Sequence, residues 1–484
     1  MISNNRPILL LAETGFIIRN LLLGYFADEV SKGRRLIVAV PNSLDKKLNE
    51  LIMGKNIELV NFPMSTYKDN RSRLKRLLSW DNIYYNTKLA IKNNASINLQ
   101  TRLFEGTKQK KEVERIFNYS CYIFGKFLKY TRLIYLFDCI YLKIYISKKS
   151  ITKEWNNLLL EINPEIVFST MLTHSVRYKC SSDLPVLVAS KKLGIKTCAL
   201  VQSWDNISSK TSILPGWVDK YYTWSESMSV ELLEYNPQID SKKVDIVGSP
   251  QFDFHRNEDL LEQREKYLKS IGLDPRYPFI LIGTGTATWM PDEMEKMISL
   301  CGKINDEIKD IQTLIRLHPK DHGERWLPFR AAMRENNIII QYSSPQLHMD
   351  EGGFIPPVEF YKDQINTIYH AAAVINSAST LTIDTAILDK PIICIAYDQN
   401  KDAIFPEGRA LMYSQSVHYS KLVKTGGVSI VYSEDECIKE IIKYLKNPEL
   451  LSRERKKIVD LVAGDTNKKA GLKLANRLLD LLDK

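Results

Sequence analysis

Two short stretches carry most of the chemistry open to this chain: Arg316-Leu317-His318-Pro319, at the end of one apolar run, and Asn376-Ser377-Ala378-Ser379-Thr380, at the end of another. Side chains two apart in a strand share a face, so Arg316 and His318 form a pair able to neutralise charge developing on a departing phosphate. The alternative for His318 is a histidine that ends a strand and bonds a local carbonyl. Ser377, Ser379 and Thr380 stand before a helix, whose first N–H groups and positive dipole end suit a phosphate or diphosphate. Ser379 and Thr380 also serve as ordinary N-caps, although no Glu or Gln follows at the capping-box position. Asp384, four residues after Thr380, lies on the same helical face, where it contacts a ribose or sugar hydroxyl or simply complements the dipole. A third run ends in Gly283-Thr284-Gly285-Thr286. Its glycines permit close backbone approach to a phosphate or a plain tight turn, and it lacks the full G-x-G-x-x-G spacing.

Two carboxylates are candidates for a general base that takes a proton from an acceptor hydroxyl. Glu13, in Glu13-Thr14-Gly15, follows the first apolar run, and Asp205 lies in Gln202-Ser203-Trp204-Asp205-Asn206 after the run at 196–201. Asp-Asn is also common turn chemistry. His174 and Asp183 are secondary candidates. His322 makes H-x-x-x-H with His318, but Pro319 stands where a zinc protease carries its glutamate, and no D-x-D lies near these stretches, so no metal is expected.

These residues need strands that end together. Apolar, β-branched runs recur at 7–12, 35–40, 57–62, 165–169, 196–201, 219–224 and 244–247, then at 279–283, 312–317, 337–341, 372–376, 391–396 and 428–431, with helical stretches between them. This rhythm predicts an α/β fold of two doubly wound, Rossmann-like domains. In such sheets ligands lie beyond the carboxyl ends of the strands, where the residues above fall. The predicted division is an N-terminal domain over 1–255, a second domain over 256–465, and a C-terminal helix over 466–484 packing across the domain boundary.

The 484 residues suit two domains. Seven scattered cysteines without a C-x-x-C pair argue against a disulfide framework and for a reducing cytoplasm. No signal peptide or membrane-spanning run is read. The net charge of +10 implies an anionic partner. Between about 66 and 160 the strand rhythm gives way to a predicted helical insertion, and from Arg115 to Lys149 there are seven Lys or Arg, ten Phe or Tyr and one acid, Asp138. That composition fits aromatics packed on the first domain with wet lysines, or a surface lying on an anionic membrane or receiving a lipid-linked acceptor.

The two-domain pattern resembles the GT-B glycosyltransferase superfamily, in which two Rossmann-like domains face a cleft. Arg316-Leu317-His318-Pro319 with Asn376 to Thr380 is similar to the HP and S-S/T motifs of bacterial polysialyltransferases and related capsule and teichoic-acid transferases. The resemblance implies that His318, Ser379 and Thr380 bind the donor phosphate. That group also carries a D/E-D/E-G motif for deprotonating the acceptor, and Glu13-Thr14-Gly15 has one acid where the motif has two. Gln202 to Asn206 and Val247 to Asp253 are similar to stretches of surface-polysaccharide transferases.

The resulting expectation is a cytoplasmic, peripheral glycosyltransferase that builds a bacterial capsule, O-antigen or related glycan without a metal. Its catalytic residues would be Glu13, Asp205 and His318; Gly283, Thr284, Gly285, Arg316, His318, Ser377, Ser379, Thr380 and Asp384 would hold the donor. Its partners would be a UDP-, CMP- or similar nucleotide-sugar donor, a glycan or lipid-linked glycan acceptor and an anionic membrane surface. No cofactor is expected beyond that donor substrate. The competing readings are a nucleotide-sugar 2-epimerase of the same fold and a noncatalytic polysaccharide- or nucleic-acid-binding protein; no nucleic-acid-binding motif supports the latter.

Overall fold

A computed structural model describes residues 6–44, 46–63, 75, 78–91, 112–147, 149–170, 183–209, 216–286, 290, 293–319, 321–342, 358–398 and 409–483. His174, Cys180 and much of the stretch from 66 to 111 lie outside the described residues. The described residues form two compact units: one runs to Asp253 and resumes at Asn467, the other spans Phe254 to Thr466.

The first unit holds β1 (Ile8–Leu11), β2 (Leu36–Val40), β3 (Ile57–Asn61), β4 (Ile166–Ser169), β5 (Lys196–Leu200), β6 (Lys220–Thr223) and β7 (Val244–Ile246). All pair in parallel, in the order β3-β2-β1-β4-β5-β6-β7. The second holds β8 (Phe279–Gly283), β9 (Gln312–Arg316), β10 (Ile338–Gln341), β11 (Ala373–Asn376), β12 (Ile392–Ile395) and β13 (Ser429–Val431), also parallel, in the order β10-β9-β8-β11-β12-β13. Each strand falls on one of the apolar runs read from the sequence. Central strands such as β1 and β12 are buried at every position, because helices cover both faces and leave no side to water.

In each sheet the chain order reverses beside its first strand, between β1 and β4 and between β8 and β11. Such a switch point opens a crevice at the carboxyl ends of the two strands.

The stretch read as a helical insertion contains helices Trp80–Ile91, Glu112–Tyr130, Ile134–Ser147 and Lys149–Ile162. Tyr84, Leu128, Phe137, Tyr141, Leu142, Leu184 and Val188 form a buried apolar cluster that joins three of these helices to the helix Leu184–Leu193. A buried ion pair, Lys88 to Asp138 at 2.8 Å, lies beside it, and the Tyr84 hydroxyl donates to the same carboxylate at 2.6 Å.

The last helix, Ala470–Leu482, buries Leu474, Ala475, Leu478 and Leu482 and packs on the helix Tyr25–Gly33. It therefore belongs to the first unit, and the chain passes between the units twice. Asp253, the last residue of the first unit before the crossing, accepts from the Ala470 and Gly471 amides at 2.7 Å each and so fixes the start of that helix. Two residues on, His255 is anchored in the second unit instead. The six cysteines among the described residues are free.

Candidate functional site

In the second unit the predicted residues converge at the ends of three adjacent strands, β9, β8 and β11. Thr284 joins the first two: its amide donates to the Arg316 carbonyl at 3.1 Å, and its Oγ1 accepts from the His318 amide at 2.9 Å. Gly283 joins β8 to β11, since a Cβ there would collide with the Cδ2 of Leu381 and lie 3.8 Å from the Ile375 carbonyl oxygen. Glycine is required here for close approach rather than for a turn. Gly283→Val is expected to push Leu381, and with it the turn that precedes it, out of place; overpacking of this kind costs about 1–3 kcal/mol. Urea unfolding of the second unit is the check, and an unchanged midpoint would remove the packing account.

Beyond β11 the chain makes a tight turn in which Ala378 takes a positive φ of 52°. A non-glycine residue in this region carries strain that the surroundings must hold, and such positions cluster at ligand sites. Asn376 is what holds it: fully buried at the end of β11, its Oδ1 accepts from the Ser379 amide at 3.0 Å, Ser379 Oγ at 3.4 Å and Thr382 Oγ1 at 3.2 Å. Thr382 Oγ1 in turn meets the Tyr419 hydroxyl at 2.8 Å. The helix that follows, Leu381–Ile387, is short, and its Thr382 amide already bonds the Ser379 carbonyl at 3.1 Å. Three buried polar atoms around this crevice, Thr286 Oγ1, Asn376 Nδ2 and Ser377 Oγ, have no hydrogen-bond partner among the described residues. Buried polar atoms are nearly always paired, so these three, at the ends of two strands that flank a switch point, are candidates for contact with a polar ligand.

Some predicted residues have other duties. The Gly285 amide is taken by the Glu293 carboxylate at 2.9 Å and 3.0 Å, so it is not held open for a phosphate. Glu293 is buried and paired with Arg325 at 2.7 Å, and Arg325 also bonds Asp321 at 2.7 Å and the carbonyls of Met290 and Gly285. Burial raises the Glu293 carboxyl above its ordinary value, against the pull of the Gly285 amide and Arg325. This network fastens the loop after β8. Arg316 is also buried: its Nη1 donates to Gln341 Oε1 at 2.7 Å, in a polar chain that continues to Thr367 and Tyr267. Burial lowers its pKa. Arg316 therefore stabilises the layer beneath the site, while His318 is only half-buried.

Asp384 is buried as well, its Oδ1 lying 2.7 Å from His255 Nε2. The pair ties the helix after the Ser379-Thr380 turn to the segment where the chain enters the second unit.

In the first unit Glu13 is buried at the end of β1, beside the β1/β4 switch point. Gln202, after β5, reaches across β4 to donate to Thr14 Oγ1 at 3.3 Å, so the Glu13-Thr14-Gly15 and Gln202–Asn206 turns meet. Asp205 accepts from Ser203 Oγ at 2.5 Å, which is local turn chemistry before the helix Asn206–Ser209. Asp183 accepts from Ser169 Oγ at 2.7 Å and the Thr170 amide at 2.9 Å, so it secures the end of β4.

Sequence reasoning missed the parts played by Asn376, His255, Glu293 and Arg325. An asparagine closing the apolar run Ala371 to Ile375 was a readable signal. The other three are partners brought together from distant segments, and no local pattern announces them.

No protein-family model matches the chain, and no curated protein matches it. Solved structures do. The chain is similar over 98% of its length to 98% of a UDP-GlcNAc 2-epimerase from Neisseria meningitidis bound to UDP-GlcNAc, with 10% identity and a TM-score of 0.51. A putative UDP-N-acetylglucosamine 2-epimerase from Listeria monocytogenes matches 99% of this chain over 96% of its own, at 12% identity and a TM-score of 0.51. One from Rickettsia bellii matches 99% of this chain over 97% of its own, at 11% identity and the same TM-score, 0.51. At such identities the likeness establishes the fold: an α/β protein of two Rossmann-like units, the GT-B-like architecture expected from the sequence.

Proposed function

We propose that the protein is an enzyme acting on a nucleotide sugar, whose second unit holds the donor's phosphates, and that it transfers the sugar to a hydroxyl of a bacterial surface glycan. The observation that carries the first part is the β8/β11 switch point, where Asn376 Nδ2 and Ser377 Oγ lack partners among the described residues next to the strained Ala378 turn, and Thr286 Oγ1 lacks one after β8. Hydroxyls and an amide N–H are donors suited to phosphate oxygens, and His318 stands at the neighbouring strand end. The full-length likeness to 2-epimerases, one of them holding UDP-GlcNAc, supports a nucleotide sugar as the ligand.

Transfer is favoured by the HP and S-S/T stretches that resemble those of polysaccharide transferases. In this reading His318 and the Ser379-Thr380 turn stabilise the leaving phosphate, and Glu13 takes the acceptor proton. Glu13 is preferred to Asp205 because it is buried after β1, beside the β1/β4 switch point. A 2-epimerase is the second reading, supported by the names of the similar structures; it needs a base at the sugar C2 and no acceptor.

Thermal unfolding with UDP, CMP, CDP, GDP and their sugars tests the first part. A nucleotide at about 100 times its Kd stabilises the state that binds it by about 2.7 kcal/mol. Absence of a shift with every compound would sink the nucleotide-sugar reading. Incubating the binding nucleotide sugar alone and analysing the product then separates the two activities, since an epimer formed without acceptor overturns transfer.

A further inference from the structure

Helices Glu112–Tyr130 and Ile134–Ser147 each carry exposed apolar side chains along one side. On the first, Ile116, Ile123, Phe127 and Tyr130 follow one another at steps of seven, four and three residues and are 66%, 53%, 53% and 90% exposed. That spacing is one stripe along a helix. Leu133, just before the second helix, with Leu136, Ile140 and Ile144 on it, continue at steps of three and four, also exposed. Phe124 packs edge-on against Phe137 at 5.6 Å between ring centres, which sets the two stripes side by side.

These residues are not left over from an incomplete core. The inward faces of the same helices already fill the cluster of Tyr84, Leu128, Phe137 and Tyr141 and hold the buried Lys88–Asp138 pair. A second, outward apolar surface of this extent has a partner. Its charge says which kind. Lys129, Arg132 and Lys143 are exposed beside the stripes, and Lys126 lies over the Tyr122 ring at 5.4 Å. The one acid between Arg115 and Lys149, Asp138, is buried and neutralised. Among the described residues no helix is long and apolar enough to cross a membrane.

We infer that this helix pair docks the protein on the face of an anionic lipid bilayer, with Ile123, Phe127 and Ile140 inserted at the headgroup boundary and Lys129, Arg132 and Lys143 against acidic headgroups. The inference stands apart from the reading of the nucleotide site, and its test uses no nucleotide.

The full chain is sedimented with vesicles of phosphatidylcholine alone or mixed equally with phosphatidylglycerol. Binding is at least tenfold stronger to the mixed vesicles. The variant Ile123→Glu/Phe127→Glu/Ile140→Glu loses it at least tenfold with an unchanged melting temperature, as does the single Phe127→Glu if the triple variant does not fold. Lys129→Glu/Arg132→Glu weakens binding to the mixed vesicles only. Val230→Glu, at an exposed apolar site on another helix, binds as the wild type does. A wild-type chain that stays in the supernatant, or a folded Phe127→Glu variant that binds undiminished, overturns the inference. So does self-association without lipid that Phe127→Glu abolishes, which would assign the surface to a second copy of the chain.

Discussion

Replacing His318 by alanine is expected to lower turnover of the nucleotide sugar by about 10²–10³-fold, the usual cost of removing one preorganised group from the place where negative charge develops. The site suits so large an effect because of its neighbours. Arg316 is buried and bonds Gln341, and the Gly285 amide bonds Glu293, whereas His318 is half-buried at the end of β9 and is the group proposed to stabilise the leaving phosphate. Its backbone stays pinned to Thr284 Oγ1 whatever the side chain, so the variant keeps its fold. The measurement is kcat and KM on the nucleotide sugar identified by thermal shift, with the melting temperature as control. A drop confined to kcat marks a transition-state role, a rise confined to KM marks ground-state binding, and unchanged kcat/KM refutes the assignment.

The second large effect is on stability. Lys88→Met should destabilise the helical segment of the first unit by about 3–5 kcal/mol, because it strips a buried carboxylate of its counter-charge. Lys88 Nζ bonds both Asp138 oxygens, at 2.9 Å and 2.8 Å, and after the change the Tyr84 hydroxyl would be the one donor left on that carboxylate among the described residues. Burial, with the charge and hydrogen bond of Asp138, pushes the Tyr84 hydroxyl well above its ordinary range, so it remains a proton donor. Amide hydrogen exchange over Glu112–Tyr130 and Ile134–Ser147 reads the segment directly. A loss of about 3 kcal/mol corresponds to roughly hundredfold faster exchange, each 1.4 kcal/mol being tenfold. The double change Lys88→Met/Asp138→Leu should restore most of the protection, since an apolar pair of similar volume carries no desolvation cost. Equal exchange in Lys88→Met and wild type would show that the pair contributes nothing.

The strands were legible in the sequence because a strand buried on both faces has to be apolar along its length, and each such run stands between helical stretches. That alternation determined the α/β class, the two sheets and the carboxyl strand ends where Glu13, Gly283, His318 and Ser377 lie. It did not determine what each polar residue does there. Arg316 reads as a cation beside His318, but the face it shares holds Gln341, Thr367 and Tyr267, which no local pattern reveals. Asp384 reads as a sugar-hydroxyl contact or a complement to the helix dipole, and its partner His255, 129 residues away in the chain, is something no local pattern reveals.

The turn after β11 divides the same way. Its hydroxyl residues, and their place between a buried strand and a helix, follow from sequence, since side-chain type and hydrophobic period are local properties. Only the tertiary structure decided that Asn376 holds the turn, that Ala378 is strained and that Asn376 Nδ2 and Ser377 Oγ lack partners among the described residues. Satisfaction of a buried polar group is a property of everything packed around it, and that is settled when strands from distant segments come together at one switch point.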